Sequence, residues 1–198
     1  AGFSIVKFTV PASGDFTVAH GLSSTPEMVI TKSTDSFNWF IFHKDLSSGA
    51  NGKYALQFTT AAENGSYKWW GNGMTSDVIG GTANTSFDPS TETIAYCFRS
   101  VAGYSKIGSY SGNSNTQTII TGFKPSFVMI KTINTVSNWV IFDDKRPGEY
   151  IMPSLPNQGY PSTDMVTSFV SNGFTLGADV STAAVNWSGA NYIYMAFK

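Results

Sequence analysis

The chain repeats itself, and that constrains its fold more than any other feature. Ala1-Gly2-Phe3-Ser4 recurs as Ala102-Gly103-Tyr104-Ser105, 101 positions further on, and His20-Gly21-Leu22 recurs as Thr121-Gly122-Phe123 at the same offset. Pro26-Glu27-Met28-Val29-Ile30-Thr31-Lys32 is matched by Pro125-Ser126-Phe127-Val128-Met129-Ile130-Lys131 at an offset of 99. Asn38-Trp39-Phe40-Ile41-Phe42 matches Asn138-Trp139-Val140-Ile141-Phe142 at 100. Ile94-Ala95-Tyr96-Cys97-Phe98-Arg99 matches Ile193-Tyr194-Met195-Ala196-Phe197-Lys198 at 99. Five matches in order, with an offset that drifts by two residues, define two copies of one unit. The copies are expected over residues 1–101 and 102–198, joined near Ser100-Val101.

Within each copy the local signals are those of strands. Phe3, Ile5, Phe8 and Val10 bracket an opening strand, and Phe16 and Val18 start the next. Met28–Lys32 and Trp39–His43 are short apolar runs between turn signals, the pattern of strands buried on both faces. Tyr54–Thr59 alternates, with Tyr54, Leu56 and Phe58 on one side. Asn51-Gly52, Asn64-Gly65, Asn72-Gly73 and Asn172-Gly173 supply residues that tolerate tight reversal. The stretch 163–170 has apolar positions four apart, which also fits a short helix, and strand is the preferred reading. About seven short strands per hundred residues predict an all-β chain of two tandem, homologous, antiparallel β-sandwich repeats of jelly-roll type.

Composition narrows the function classes. Charged residues are 13% of the 198, with 12 Lys and Arg against 13 Asp and Glu, for a net charge of −1. No basic field exists to gather nucleic acid or an anionic membrane. Aromatics are 15%, more than a disordered chain carries, so a packed core is expected. No apolar run approaches the roughly 18 residues a spanning helix needs. The one cysteine, Cys97, cannot form an internal disulfide, and its alternating context reads as a small buried hydrophobe. The sequence starts at Ala1 rather than Met, from which removal of flanking sequence is expected.

The phrases Ala102-Gly103-Tyr104-Ser105-Lys106-Ile107-Gly108-Ser109-Tyr110 and Pro125 to Lys131 with Asn138-Trp139 resemble a twin-repeat β domain of marine bacteriophage structural proteins. Ser171-Asn172-Gly173-Phe174-Thr175-Leu176, Asn186-Trp187-Ser188-Gly189 and Tyr192-Ile193-Tyr194 fit the same pattern. The resemblance spans nearly the whole chain and implies a tail-fibre or other virion component, with no catalytic residues. The first copy departs from it near its end, where Gly80-Gly81 and Ser86-Phe87-Asp88-Pro89 stand in place of the Asn-Gly-Phe and Asn-x-Ser-Gly phrases.

Reactive groups are sparse. His20 precedes a glycine turn and corresponds to Thr121; His43 follows the Trp39–Phe42 run and corresponds to Asp143. Neither has metal-ligand spacing, so both are expected to be surface or strand-end residues, and neither a metal nor a cofactor is expected. Asp45, Asp143, Asp144 and Glu149 gather after the two Trp strands, a weak case for paired-carboxylate glycan cleavage. Their mixed-sign neighbours favour a solvated turn with local ion pairs. No calcium-loop run occurs, although Asp35 or Asp179 with backbone carbonyls could contribute to such a site.

Aromatic residues make the stronger binding case. Tyr67-Lys68-Trp69-Trp70-Gly71-Asn72-Gly73 puts three rings, a cation and an amide beside a turn, and adjacent strand residues face opposite ways. Tyr67, Trp69, Trp70 and Asn72 are therefore candidate ligand-binding residues, with Trp187, between Asn186 and Ser188, as a second loop candidate. Trp39 and Trp139 recur inside apolar strands and are expected in the core. Asn64-Gly65-Ser66, Asn84-Thr85-Ser86 and Asn186-Trp187-Ser188 match the glycosylation triplet at the frequency chance gives in so Asn- and Ser-rich a chain.

The expectation drawn from residues and resemblance together is a non-enzymatic, extracellular virion protein that assembles and adheres. Other virion proteins and further copies of the chain would be its partners. A carbohydrate-binding module for a host-surface glycan is the main alternative, and a capsid decoration or filament subunit the second.

Overall fold

The computed structural model describes residues 2–35, 39–47, 54–65, 74–83, 87–156, 159–161, 165–178 and 184–198. The described residues form antiparallel sheets and no helix. They divide into two compact units, one comprising residues 2–58 and 63–99, the other 59–62 and 100–198.

The first unit contains β1 (Phe3–Thr9), β2 (Gly14–Ala19), β3 (Met28–Ser33), β4 (Phe40–His43), β5 (Leu56–Gln57), β6 (Val78–Ala83) and β7 (Glu92–Phe98). One sheet runs β1-β7-β3-β4-β5, and β2 pairs with β6 in a second. Strand periodicity decides which side chains meet between them. Val29, Phe40, Phe42, Ala95 and Cys97 gather with Ile79 and Phe87 in a core, against which Val6, Phe8, Phe16 and Val18 pack. Phe16 and Phe87 meet edge to face at 5.3 Å, an arrangement aromatic quadrupoles favour. Cys97 is fully buried, and burial pushes its thiol up to about 11.

The second unit contains β8 (Ser105–Ser111), β9 (Gln117–Ile120), β10 (Phe127–Thr132), β11 (Val140–Asp143), β12 (Glu149–Tyr150), β13 (Tyr160–Pro161), β14 (Val166–Val170), β15 (Gly173–Leu176) and β16 (Asn191–Phe197). Its main sheet runs β11-β10-β16-β8, a second runs β14-β15-β9, and β12 pairs with β13. Val128, Ile130, Val140, Phe142, Tyr192 and Tyr194 pack with Ile119, Phe174 and Leu176 in its core. Tyr110 stacks on Tyr192 at 5.0 Å and sends its hydroxyl to the Val185 carbonyl at 2.6 Å, so a half-buried phenol keeps a partner.

Five details refine the sequence expectations. Residues 166–170 are strand, as preferred over helix. The alternating run 54–59 shortens to β5, with Ala55 bridged to Asn64 beside it. Phe3 pairs with Phe98, whereas Ser105, not Tyr104, pairs with Phe197. The turn that bridges Val101 to Ser105 takes up the extra residue, and a one-residue slip exchanges the two faces of a strand. Gly173 lies at a normal φ; a Cβ there would sit 2.0 Å from the Ile119 carbonyl oxygen, so close strand approach requires the glycine. Trp139 is buried as expected, but Trp39 is 38% exposed. Trp39 lies just before β4 and packs edge-on against Phe58 at 6.1 Å, with one side open.

Candidate functional site

Both histidines are buried rather than on the surface, and both stand at strand ends, His20 directly after β2 and His43 closing β4. His20 is buried, contrary to a surface placement: Nδ1 accepts the Leu22 N–H at 3.1 Å and Nε2 meets the Thr75 carbonyl at 3.2 Å. Thr121, its sequence counterpart, accepts the Phe123 N–H at 3.4 Å through Oγ1 and donates to the Phe123 carbonyl at 2.6 Å. Imidazole and hydroxyl thus do the same work, satisfying an amide two residues on in a tight turn. The second pair behaves alike. The fully buried His43 accepts the Asp45 N–H at 3.1 Å through Nδ1, and Asp143 accepts the Lys145 N–H at 3.0 Å through Oδ1.

Of the four carboxylates after the Trp strands, Asp45, Asp143 and Asp144 are bonded within their turns, while Glu149 lies in β12. Asp143 Oδ1 also accepts the Arg146 N–H at 3.0 Å, while Oδ2 takes Arg146 Nε at 2.9 Å and Nη2 as well. The Arg146 guanidinium, foremost among these contacts, holds the Asp143 carboxyl below its usual range. A carboxylate so held has no proton to give as a general acid, and its oxygens are occupied. Asp144 Oδ2 accepts Ser126 Oγ at 3.2 Å and lies 3.4 Å from Lys145 Nζ. Asp45, in the other unit, takes Lys44 Nζ on both oxygens at 3.0 and 2.9 Å. An open pocket of about 210 Å³ lies beside the second turn, with Phe142, Val166 and Phe169 against Lys124, Arg146 and Glu149. Among the described residues no three His, Cys, Asp or Glu side chains gather as a metal site. Asp35 accepts from Thr34 Oγ1 at 3.3 Å in an exposed turn, and Asp179 lies outside the described residues.

Tyr67, Trp69, Trp70 and Asn72 also lie outside the described residues. Trp187 is described, and it is exposed to 44%. Its loop is fixed from below by Asn186, which is fully buried. Asn186 Oδ1 accepts the Asn113 N–H at 3.1 Å and Gln117 Nε2 at 2.6 Å; Nδ2 donates to the Asn115 and Gly177 carbonyls at 2.6 and 2.7 Å. Four hydrogen bonds fill the capacity of one amide side chain, which also removes Asn186 as a glycosylation acceptor. The Trp187 N–H donates to the Tyr192 hydroxyl at 3.0 Å, and the Ser188 N–H to Ser114 Oγ at 2.9 Å.

Backbone geometry reinforces these bonds. Ser114 stands at φ 59, a left-handed conformation a serine seldom adopts, and its N–H donates to the Asn186 carbonyl. A Cβ on Gly112 would lie 2.2 Å from the Trp187 carbonyl oxygen, so the loops after β8 and before β16 touch backbone to backbone. Asn134, after β10, donates to the Gly189 carbonyl at 3.1 Å and accepts the Asn191 N–H at 2.9 Å. Three loops therefore converge on one amide-rich end of the second unit, and an indole projects from it. This end and the acid turn lie at opposite ends of β10 and β16.

A family model matches the chain over residues 1–198, under the description Domain of unknown function (DUF7483). The chain belongs to that family. No curated protein and no solved structure matches it. Among the described residues, Asp45, Asp143 and Asp144 are bonded within their turns, and Trp187, like Phe3, Trp39 and Tyr104, is exposed.

Proposed function

We propose that this chain is a non-enzymatic structural and adhesion module of a virion, a tail-fibre or other exposed component, built from two copies of one β-sandwich unit. The supporting observation is the division of labour in the second unit: Asp143 is saturated by Arg146 and turn amides, while Trp187 is held outward on a loop fixed by Asn186. A preorganised aromatic loses little conformational freedom on binding, which suits contact rather than chemistry. The virion setting rests on the sequence resemblance alone.

Strand pairing supports the duplication. Met28 pairs with Phe98 and Phe127 with Phe197, so the positions correspond at 99 residues in both strands of each pair. Open sheet edges support assembly with further copies: β1 and β8 each end a sheet, and only one charge on each, Lys7 and Lys106, opposes edge-to-edge pairing. A weakly charged surface permits close packing of copies, because little like-charge repulsion opposes it.

Incubating the labelled full chain with cells bound by its parent particle tests the reading, with soluble saccharide monitored in the same tube. Retention on the cells without saccharide release is expected; release of saccharide fragments would overturn it.

A further inference from the structure

We propose that the Trp187 loop is a binding subsite for an uncharged pyranose ring, with Asn113, Asn115 and Ser188 supplying its polar contacts. The inference rests on the adhesion reading and names the chemistry of what is held. An indole face is apolar and polarisable, and a pyranose presents one face of axial C–H groups that can lie against it. The hydroxyls around that ring then need donors and acceptors at the rim.

The rim has them. Asn113 uses Oδ1 on the Asn115 N–H at 2.8 Å, leaving its side-chain N–H groups without an intramolecular partner among the described residues. Asn115 donates through Nδ2 to the Asn113 carbonyl at 3.0 Å, leaving Oδ1 to accept. The Ser188 hydroxyl is open too, and its backbone is tied to Ser114 beside the two asparagines. All three residues are exposed, so these groups face solvent beside the indole loop. The donor–acceptor mixture matches a polyol, which both gives and takes hydrogen bonds.

The preference for a neutral ring comes from what is missing. Residues 107–123, 132–142 and 184–197, all of them described, contain no Asp, Glu, Lys or Arg, so these three stretches bring no charge of either sign. A sialylated, uronic or sulfated ring would lose part of its hydration with no cation to offset the cost. Binding should accordingly depend little on salt, because no ion pair forms.

The test is a titration of the full chain with two sets of oligosaccharides. One contains neutral glucose, galactose or N-acetylglucosamine oligomers; the other contains sialylated or sulfated counterparts. Calorimetry reads affinity, and chromatography of the same samples reads cleavage. The expected result is binding to at least one neutral set member that changes less than about twofold from about 0.05 to about 0.5 M NaCl. Trp187→Ala should weaken that binding by about tenfold or more, with Trp187→Phe between the two. Unfolding midpoints of both variants should stay close to the wild type, since Trp187 is 44% exposed and lies outside the core. Absence of binding, affinity confined to acidic probes with steep salt dependence, or full binding by Trp187→Ala would each overturn the saccharide assignment and leave the adhesion reading standing. Cleavage of a probe would instead overturn the non-enzymatic reading beneath it.

Discussion

Lys131 is a fully buried cation, and its replacement offers a quantitative test of how the second unit is held together. It lies on β10, where its ammonium donates to the Ser137 carbonyl at 2.9 Å and the Thr60 carbonyl at 3.4 Å. Burial pushes its pKa down from 10.5 to about 8. Between those values the unfolded chain holds a proton the folded chain has lost, so stability rises with pH across that window. A gap of about 2.5 pH units at about 1.4 kcal/mol each gives about 3 kcal/mol, absent at pH 7 and gained by pH 10.5. Lys131→Met removes this dependence while keeping an unbranched side chain in the site. Urea unfolding of both proteins from pH 7 to pH 10.5 should show the wild type gaining about 3 kcal/mol relative to the variant. Cys97 works in the opposite sense: its folded pKa of about 11 lies above 9.0, so stability falls as pH rises between them. That contribution is common to both proteins and cancels in the difference. A difference that stays within about 0.5 kcal/mol across the range would refute the assignment of a strained buried ammonium.

Three further substitutions probe the loops and turns. Asn186→Ala removes the four hydrogen bonds of a fully buried amide, leaving two donors and two carbonyls without that partner, and should lower unfolding free energy by about 2–4 kcal/mol in urea titrations. Gly173→Ala drives a methyl against the Ile119 carbonyl and should cost about 2 kcal/mol or more, read as a lower thermal midpoint or loss of soluble protein. His20→Asn keeps an acceptor for the Leu22 N–H and should retain more stability than His20→Ala, by about 1 kcal/mol in the same titration. Equal loss in the two His20 variants would contradict the turn-closing role.

The fold was legible where a residue's surroundings are fixed by its own strand. Met28–Lys32 and Pro125–Lys131 declared β3 and β10 because short apolar runs bounded by turn residues leave few other conformations. The matched histidines were legible in position and not in role. That His20 and Thr121 close the same kind of turn depends on a lone pair aimed two residues ahead, which residue type does not announce. Trp39 and Trp139 share one motif and differ in exposure, because a strand pattern does not say what covers each face. Trp187 was marked by its polar flanks, but the support beneath it was hidden. Asn186 collects partners from Asn113, Asn115, Gln117 and Gly177, up to 73 residues away, and no local pattern reports a meeting of loops.

The sharpest measurement compares adsorption of two full-chain variants, Trp187→Ala and Asp143→Asn with Glu149→Gln, to cells that retain the wild-type chain. A module that works by contact through its outward indole should lose about tenfold or more of its adsorption in the first variant and none in the second. Loss confined to the carboxylate variant, with the indole variant unchanged, would place the activity at the acid turn and contradict a role by contact through the Trp187 loop.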